Sequence, residues 1–514
     1  MQRTQVLIIG GGITGAGLAR DLALRGVHCT LAEREDLNAG ASGANHGLLH
    51  SGARYVSDDP ANARECFEEN QVLKKVAAHC IEDTGGLFVA VEGDDEGYVA
   101  RFPELCAKSG VPAEPVDVKE AREMEPVLSE RLIAAFRVPD AAVDPFQLTL
   151  DNVIHAREMG CRLLRHAKVI GFEAGDGRIQ KTRLLNTLTG EVFSVEADHV
   201  VNATGAWAGQ VASLAGIDIA MVYSKGSLLV THSRLAERVI NRLRPSSNAD
   251  ILVPGGTVSI LGTTSVRIDD PDGIRPTVEE IDFIVEEGAQ MIPSLEATRY
   301  IRAYSGVRPL VGAQKSGDDR GMSRGFALLD HGEQGLVNFT TITGGKLTTY
   351  RLMAEKTADL VCRQLGVVSP CTTKTALLPS AAAARFTQPG FTPRLWLQGR
   401  EPGDVLLCEC EMVSSGMVDQ IIDSVNRQGG RADLNTVGMR SRIGKGACQG
   451  TMCGLRLAAY LYDRGTLSST VGTASLKAFL NERWRGVRPL LWDISLIQSE
   501  FQEALYCGLF GLEL

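Results

Sequence analysis

A glycine turn set between a buried strand and a helix constrains this chain more than any other feature. Residues 5–9 read QVLII, a short apolar run rich in β-formers. Gly10-Gly11-Gly12-Ile13-Thr14-Gly15 follows, and then the helical pattern AGLARDLALRG. In a strand–turn–helix setting Gly10 permits the tight turn, Gly12 lets the main chain approach a pyrophosphate, and Gly15 lets helix and strand pack closely. The helix then offers its unpaired N–H groups and the positive end of its dipole to the phosphates. A second strand, VHCTLAE, ends at Glu33, near the ~20-residue interval at which an acidic side chain meets ribose hydroxyls. Alone the turn is a weak signal; strand, helix and acid in register point to a dinucleotide.

Two distant segments favour FAD over NAD. Residues 198–207, DHVVNATGAW, form a buried-strand pattern ending in a small-residue turn; residues 338–346, NFTTITGGK, form a later strand that runs through a glycine pair into the helical pattern LTTYRLMAEKTADLVCRQL. A nucleotide site assembled from three distant segments, with other sequence between them, is typical of FAD enzymes. The expected cofactor contacts are Gly10, Gly12, Thr14, Gly15, Glu33 and Arg34 from the first unit, and Ser42, Asn45 and His46 from the stretch after it. Ala203, Thr204 and Gly205 come from the second segment, and Gly344, Gly345, Lys346, Leu347 and Thr348 from the third. The small residues around Ala44-Asn45-His46-Gly47 leave room for a flavin ring.

At 514 residues the chain can bury several cores. Its 53 Lys+Arg against 62 Asp+Glu give a net charge of −9, which argues against a nucleic-acid partner bound through bulk positive charge. No apolar stretch approaches the ~18–20 residues of a membrane-spanning helix, and the N-terminus runs straight into a strand, so the expected location is the cytoplasmic side. Of 12 cysteines most are scattered singly, but four lie close together: Cys408 and Cys410 in LCECE, expected to open a helical stretch, and Cys448 and Cys453 in RIGKGACQGTMCG. Two close pairs of thiolates fit a [2Fe–2S] cluster or a zinc ion. Glycines 444, 446, 450 and 454 would let main-chain N–H groups approach cluster sulfurs.

Residues 34–75 contain HSGARY, and further along come VDPFQLT, KGSLLV, RAYSGVRPLV, SRGF, ITGGKLTTYRLMAE and FLNERWRGVRPLLW. Together these resemble the FAD-dependent glycerol-3-phosphate dehydrogenases over nearly the whole chain, and within that family the catalytic A subunit of the anaerobic enzyme. The resemblance implies an α/β, two-lobed, D-amino-acid-oxidase-type fold with a mixed-sheet substrate domain. Residues 1–370 would form the oxidoreductase unit, with FAD-binding segments near 1–85, 145–215 and 325–370 and substrate segments near 86–144 and 216–324. A linker over 371–404, rich in Pro, Ala and Gly, would lead to a [2Fe–2S] domain over 405–460 and a helical extension over 461–514. The cysteine segment resembles the bacterioferritin-associated-ferredoxin-like domain. It departs from that pattern in having four residues between Cys448 and Cys453 where the domain closes with CxxC.

The activity implied is oxidation of sn-glycerol 3-phosphate to dihydroxyacetone phosphate, hydride passing from C2 to flavin N5 and electrons onward to a quinone. Partners implied are a membrane-anchoring Fe–S subunit together with a second soluble one, in a complex peripheral to the inner membrane. A dianionic phosphate wants guanidinium forks and an ammonium, which Arg54, Arg324 and Lys346 supply together with the Tyr55 hydroxyl. His50 is the expected proton acceptor, an imidazole ordinarily titrating near ~6.5. Arg308, always protonated, is expected to stabilise alkoxide character. Two rival readings are an amino-acid or sarcosine-type oxidase on the same fold, and a nucleotide-binding assembly protein without turnover.

Overall fold

The computed structural model describes residues 2–312, 325–379, 399, 401–427 and 430–512. Arg324, and residues 380–398 and 400 of the expected linker, lie outside the described residues.

The first sheet has eight strands. Across it run Ala167–Gly175, Arg178–Asn186, Val192–Asn202, Gln2–Ile9, Cys29–Ala32 and Arg162–Leu164; Phe339–Gly344 pairs Val192–Asn202 and also Phe326–Asp330. The strand Gln2–Ile9 lies between parallel neighbours, with Ile9 opposite both Ala32 and Asn202. Val6, Leu7, Ile8 and Ile9 are all buried, as expected of a central parallel strand covered on both faces. One covering layer is the helix Ile13–Leu24, whose Ala16, Leu18, Ala19 and Leu22 share a core with Met353, Ala354 and Ala358 of the helix Tyr350–Leu365.

The second sheet has nine strands, drawn from residues 86–138 and 221–311. Its spine is the antiparallel pair Met221–Thr231 and Tyr300–Val311, in register from Met221 opposite Val311 to Val230 opposite Arg302, with a shift that sets Thr231 opposite Tyr300. The helix Val278–Met291 covers this sheet and begins with a reciprocal capping box between Thr277 and Glu280. A small sheet of Leu48–Leu49, Ala141–Val143 and Ile81–Glu82 lies between the two.

Beyond residue 401 the chain forms a helical module with its own core, including Val418, Leu434, Val437, Leu457, Leu461, Phe479 and Tyr506. Here one expectation fails. Cys408 ends a strand, Leu406–Cys408, which pairs with Val413–Ser414, and the helix begins only at Ser415. The Met412 main chain is left-handed (φ 52°), which closes a hairpin rather than a helical turn. Among the described residues no helix is long and apolar enough to cross a membrane.

Candidate active site

The glycine turn packs as its sequence requires. Gly10 has φ +112°, and a Cβ there would stand 2.5 Å from the Ala203 carbonyl oxygen; only glycine tolerates both. A Cβ on Gly15 would overlap the Gly10 carbonyl, so Gly15 serves helix–strand packing and does not line the cavity. The Gly11 and Glu35 N–H groups donate to the two Glu33 carboxylate oxygens at 2.7 and 2.8 Å. Burial pushes the Glu33 carboxyl above its ordinary value, opposed by these N–H bonds. Ser42 Oγ accepts from Ile13 N–H at 2.9 Å, tying the following loop to the helix start. Arg34 lies 4.2 Å from the Trp207 ring centroid and pairs with Asp272, which also accepts from Trp207 Nε1.

The second and third segments meet this turn. Ala203 N–H donates to Ile9 O at 2.8 Å, and Thr343 Oγ1 donates to the Gly205 carbonyl at 2.9 Å. A single cavity of about 1920 Å³ is lined by Gly10, Gly12, Thr14, Glu33, Arg34, Ser42, Asn45 and His46. Ala203, Thr204, Gly205, Gly344, Gly345, Lys346 and Leu347 line it too. Thr348 does not: it is buried, and its Oγ1 accepts from His50 N–H at 3.0 Å, so it holds the histidine rather than facing the cavity.

His46, His50, Arg54, Tyr55 and Arg308 line the same cavity. Asn45 and its neighbours are clamped against the spine of the second sheet by Tyr304, whose hydroxyl donates to Asn45 O at 2.7 Å. His46 Nδ1 accepts from Leu48 N–H at 3.2 Å. Burial, then the charges of Arg308 and Arg54, lower this imidazole to about 3. It is therefore neutral, with its proton on Nε2: a donor and not a base. His50 Nε2 lies 3.4 Å from the Tyr55 hydroxyl.

The cations are held in different ways. Arg54 Nη2 donates to Ser247 O at 2.8 Å and pairs with buried Asp250 at 3.0 Å, while its Nη1 is buried with no hydrogen-bond partner among the described residues. Arg308 Nη1 donates to Thr264 O at 3.1 Å and Nη2 to Thr263 Oγ1. Lys346 donates to Asn62 Oδ1 at 2.6 Å and lies 4.4 Å from the Tyr55 ring centroid. Asp250 and Asn62 carry no local signal, and Tyr304, although inside RAYSGVRPLV, carries no expected role; sequence reasoning missed all three as partners.

The far wall of the cavity comes from the C-terminal module, including Met439, Arg442, Lys445 and Phe479. Behind it the four cysteines come together. Cys408 and Cys410 sulfurs are 3.6 Å apart, Cys410 and Cys448 4.0 Å, and Cys453 interacts with both Cys408 and Cys448. Hydrogen bonds from Cys410 and Cys453, aided by N–H groups of Met452 and Gly450, hold the Cys448 thiol far below its ordinary value. Glu411, beside Cys410, accepts from Thr257 of the second sheet at 2.6 Å and pairs with Arg442, which also reaches Gly255 O.

A family model of FAD dependent oxidoreductases matches residues 5–360. The A subunit of the anaerobic glycerol-3-phosphate dehydrogenase of Escherichia coli K12 is 45% identical, across 100% of this chain and 98% of its own length. In fold, the chain is similar to a glycerol-3-phosphate dehydrogenase of Bacillus halodurans solved with FAD (TM-score 0.68, 21% identity, covering 96% of this chain and 97% of that one). It is also similar to glycine oxidase of Geobacillus kaustophilus (TM-score 0.59, 20% identity, 74% and 99% covered). The fold alone therefore does not separate the rival oxidase reading, whereas the end-to-end sequence likeness does. The chain is an FAD-dependent oxidoreductase and belongs to the family of A subunits of the anaerobic glycerol-3-phosphate dehydrogenases.

Proposed function

We propose that the chain oxidises sn-glycerol 3-phosphate to dihydroxyacetone phosphate, passing electrons through a [2Fe–2S] cluster to partner Fe–S subunits and on to a quinone, in anaerobic glycerol catabolism. The observation that carries this reading is one cavity in which a glycine turn, two histidines and the cations Arg54, Arg308 and Lys346 meet. Its volume of about 1920 Å³ exceeds the ~300–1,000 Å³ of a single small-molecule pocket. That leaves room for a dinucleotide beside a small substrate.

Bound FAD supplies the hydride acceptor. The orphaned Arg54 Nη1, with Lys346 and the Tyr55 hydroxyl, fits the substrate phosphate. Arg308, fixed by Thr263 and Thr264, stabilises negative charge on the C2 oxygen as its proton leaves. His50 takes that proton: its main chain is pinned by Thr348, whereas the His46 Nδ1 lone pair is engaged by Leu48 N–H and burial beside two arginines makes that imidazole a weak proton acceptor.

Four thiols gathered in two close pairs fit a two-iron cluster held by four thiolates, and the likeness of this segment to a [2Fe–2S] domain favours that cluster over a zinc ion. A Cβ on Gly446 would stand 2.7 Å from Cys410 Sγ, and Gly444 and Gly450 direct N–H groups at Cys453 and Cys448. Relatives named as the A subunit of their enzyme support the existence of further subunits, through which the chain would sit peripherally on the inner membrane.

The test is spectroscopic. Protein purified anaerobically is expected to contain flavin, iron and acid-labile sulfide, and its flavin bands should bleach with sn-glycerol 3-phosphate but not with glycine or sarcosine. Flavin that stays oxidised with the phosphate ester would overturn the substrate assignment.

A further inference from the structure

A continuous strip of contacts joins the loop after the glycine turn to the thiols. Asp144 caps the helix Pro145–Glu158 by accepting from Phe146 and Gln147 N–H groups, which fixes Phe146 in the first helical turn. Asn38 ties that turn to the nucleotide site: its side chain donates to Pro145 O at 3.0 Å and its N–H to Gly11 O at 3.2 Å. The Phe146 ring packs on the loop itself, since a Cβ on Gly43 would meet two ring carbons at 3.3 Å. The Lys445 ammonium lies 4.0 Å from the centroid of the same ring and is steadied by donating to Ser441 O at 2.8 Å. Gly446, the next residue, abuts Cys410 Sγ. Phe146 and Lys445 both line the flavin cavity, and neither has a part in the substrate chemistry proposed above.

We infer that Phe146 and Lys445 form the bridge by which electrons pass from the flavin to the iron–sulfur cluster, entering it at Cys410. The inference rests on the [2Fe–2S] reading. An aromatic ring and a cation held against it fill the gap with bonded and van der Waals matter, in place of water. Cation–ring contact at this distance also holds the pair together. Burial lowers the Lys445 amine to about 7; the negative charge that one-electron reduction adds beside the thiolates favours its charged form, which in turn favours the reduced cluster. The balance is simple. Each substrate gives up two electrons and two protons, one proton from the C2 hydroxyl and the other travelling with the electrons as hydride. The flavin returns its proton to solvent and gives the electrons singly to the cluster, which hands each to a one-electron iron–sulfur acceptor before taking the next.

The experiment uses full-length protein carrying FAD and cluster, mixed rapidly with sn-glycerol 3-phosphate. Flavin absorbance and the freeze-quenched paramagnetic signal of the reduced cluster are followed separately. In Phe146→Leu and Lys445→Met, with iron and FAD contents matching wild type, flavin bleaching is expected at the wild-type rate and cluster reduction at least ~10-fold slower. Phe146→Tyr and Lys445→Arg should restore it. The cluster potential of Phe146→Leu, measured by titration, should equal that of wild type, so that its slowing reports the path and not the driving force. Wild-type cluster reduction in Phe146→Leu, or slowing accompanied by an equal loss in flavin bleaching, overturns the bridge. Wild-type protein devoid of iron and sulfide overturns the cluster assignment instead.

Discussion

The two ends of the cavity are built on different principles. At the nucleotide end the fixed groups are main-chain atoms: Gly10 N–H donates to Ala32 O and Ala203 N–H to Ile9 O, while the Glu33 carboxylate accepts from Gly11 and Glu35 N–H groups. At the reacting end they are side-chain cations and imidazoles, and the cations are held by partners distant in sequence, as Arg54 is by Asp250 and Lys346 by Asn62. Main-chain geometry tolerates no added atom but needs no particular chemistry. The side-chain end tolerates changes of shape better than changes of charge.

Substitutions sharpen that contrast in descending order of effect. Gly10→Ala forces a left-handed backbone and a clash with Ala203 O, and is expected to cost more than about 3 kcal/mol. Flavin content and thermal unfolding would reveal it, and a stable variant with a full complement of FAD would break the comparison. Arg308→Ala should keep FAD and fold while flavin reduction slows about 10²–10³-fold, the usual loss for one charge-stabilising donor, read by single-turnover bleaching. Arg54→Gln removes a charged hydrogen bond to phosphate, for a rise in KM of about 10- to 100-fold. Its effect on stability is expected to be smaller because Arg244 remains paired with Asp250 at 2.5 Å.

The smallest effect concerns pH. Burial lowers the His199 imidazole to about 4, beneath its ordinary ~6.5. Between those values the unfolded chain binds a proton that the folded protein refuses. Stability from this group is thus complete above about pH 6.5 and is lost as pH falls toward 4. By pH 5.5 the loss should be about 1 kcal/mol. Denaturant titrations of His199→Gln should lack that share of the acid loss, and an unchanged pH slope would contradict it.

The nucleotide end was legible because its requirements are local: a strand, three glycines and an acid occupy one stretch, and each main-chain demand leaves a glycine in the sequence. His50, Arg54, Tyr55 and Arg308 were legible as motif members, but their partners were not, since Asp250 and Thr348 become neighbours only through folding. Glu33 illustrates the halfway case. Its spacing suggests ribose contact, yet both its oxygens are engaged by main-chain N–H groups, so it shapes the loop as well. The Cys408–Cys410 hairpin reads as helix because Leu407 to Glu411 contains no glycine or proline, and the left-handed residue there is Met412. His79, Cys80 and Asp151, a buried hydrogen-bonded trio of which the first two line the cavity, escape sequence reasoning because no spacing rule links the pair to Asp151.

The wall supplied by Met439, Arg442, Lys445 and Phe479 makes the last fifth of the polypeptide part of the vessel in which the reaction runs. Arg440 reaches back to Asp36 at 3.0 Å, three residues past Glu33, and Glu482 to Arg302 at 2.9 Å on the sheet that carries Arg308. Without this module the basin would stand open on one side, so the segment that carries the thiols is also a wall of the chamber, and whatever loosens its two ion pairs would loosen the enclosure of the flavin with them.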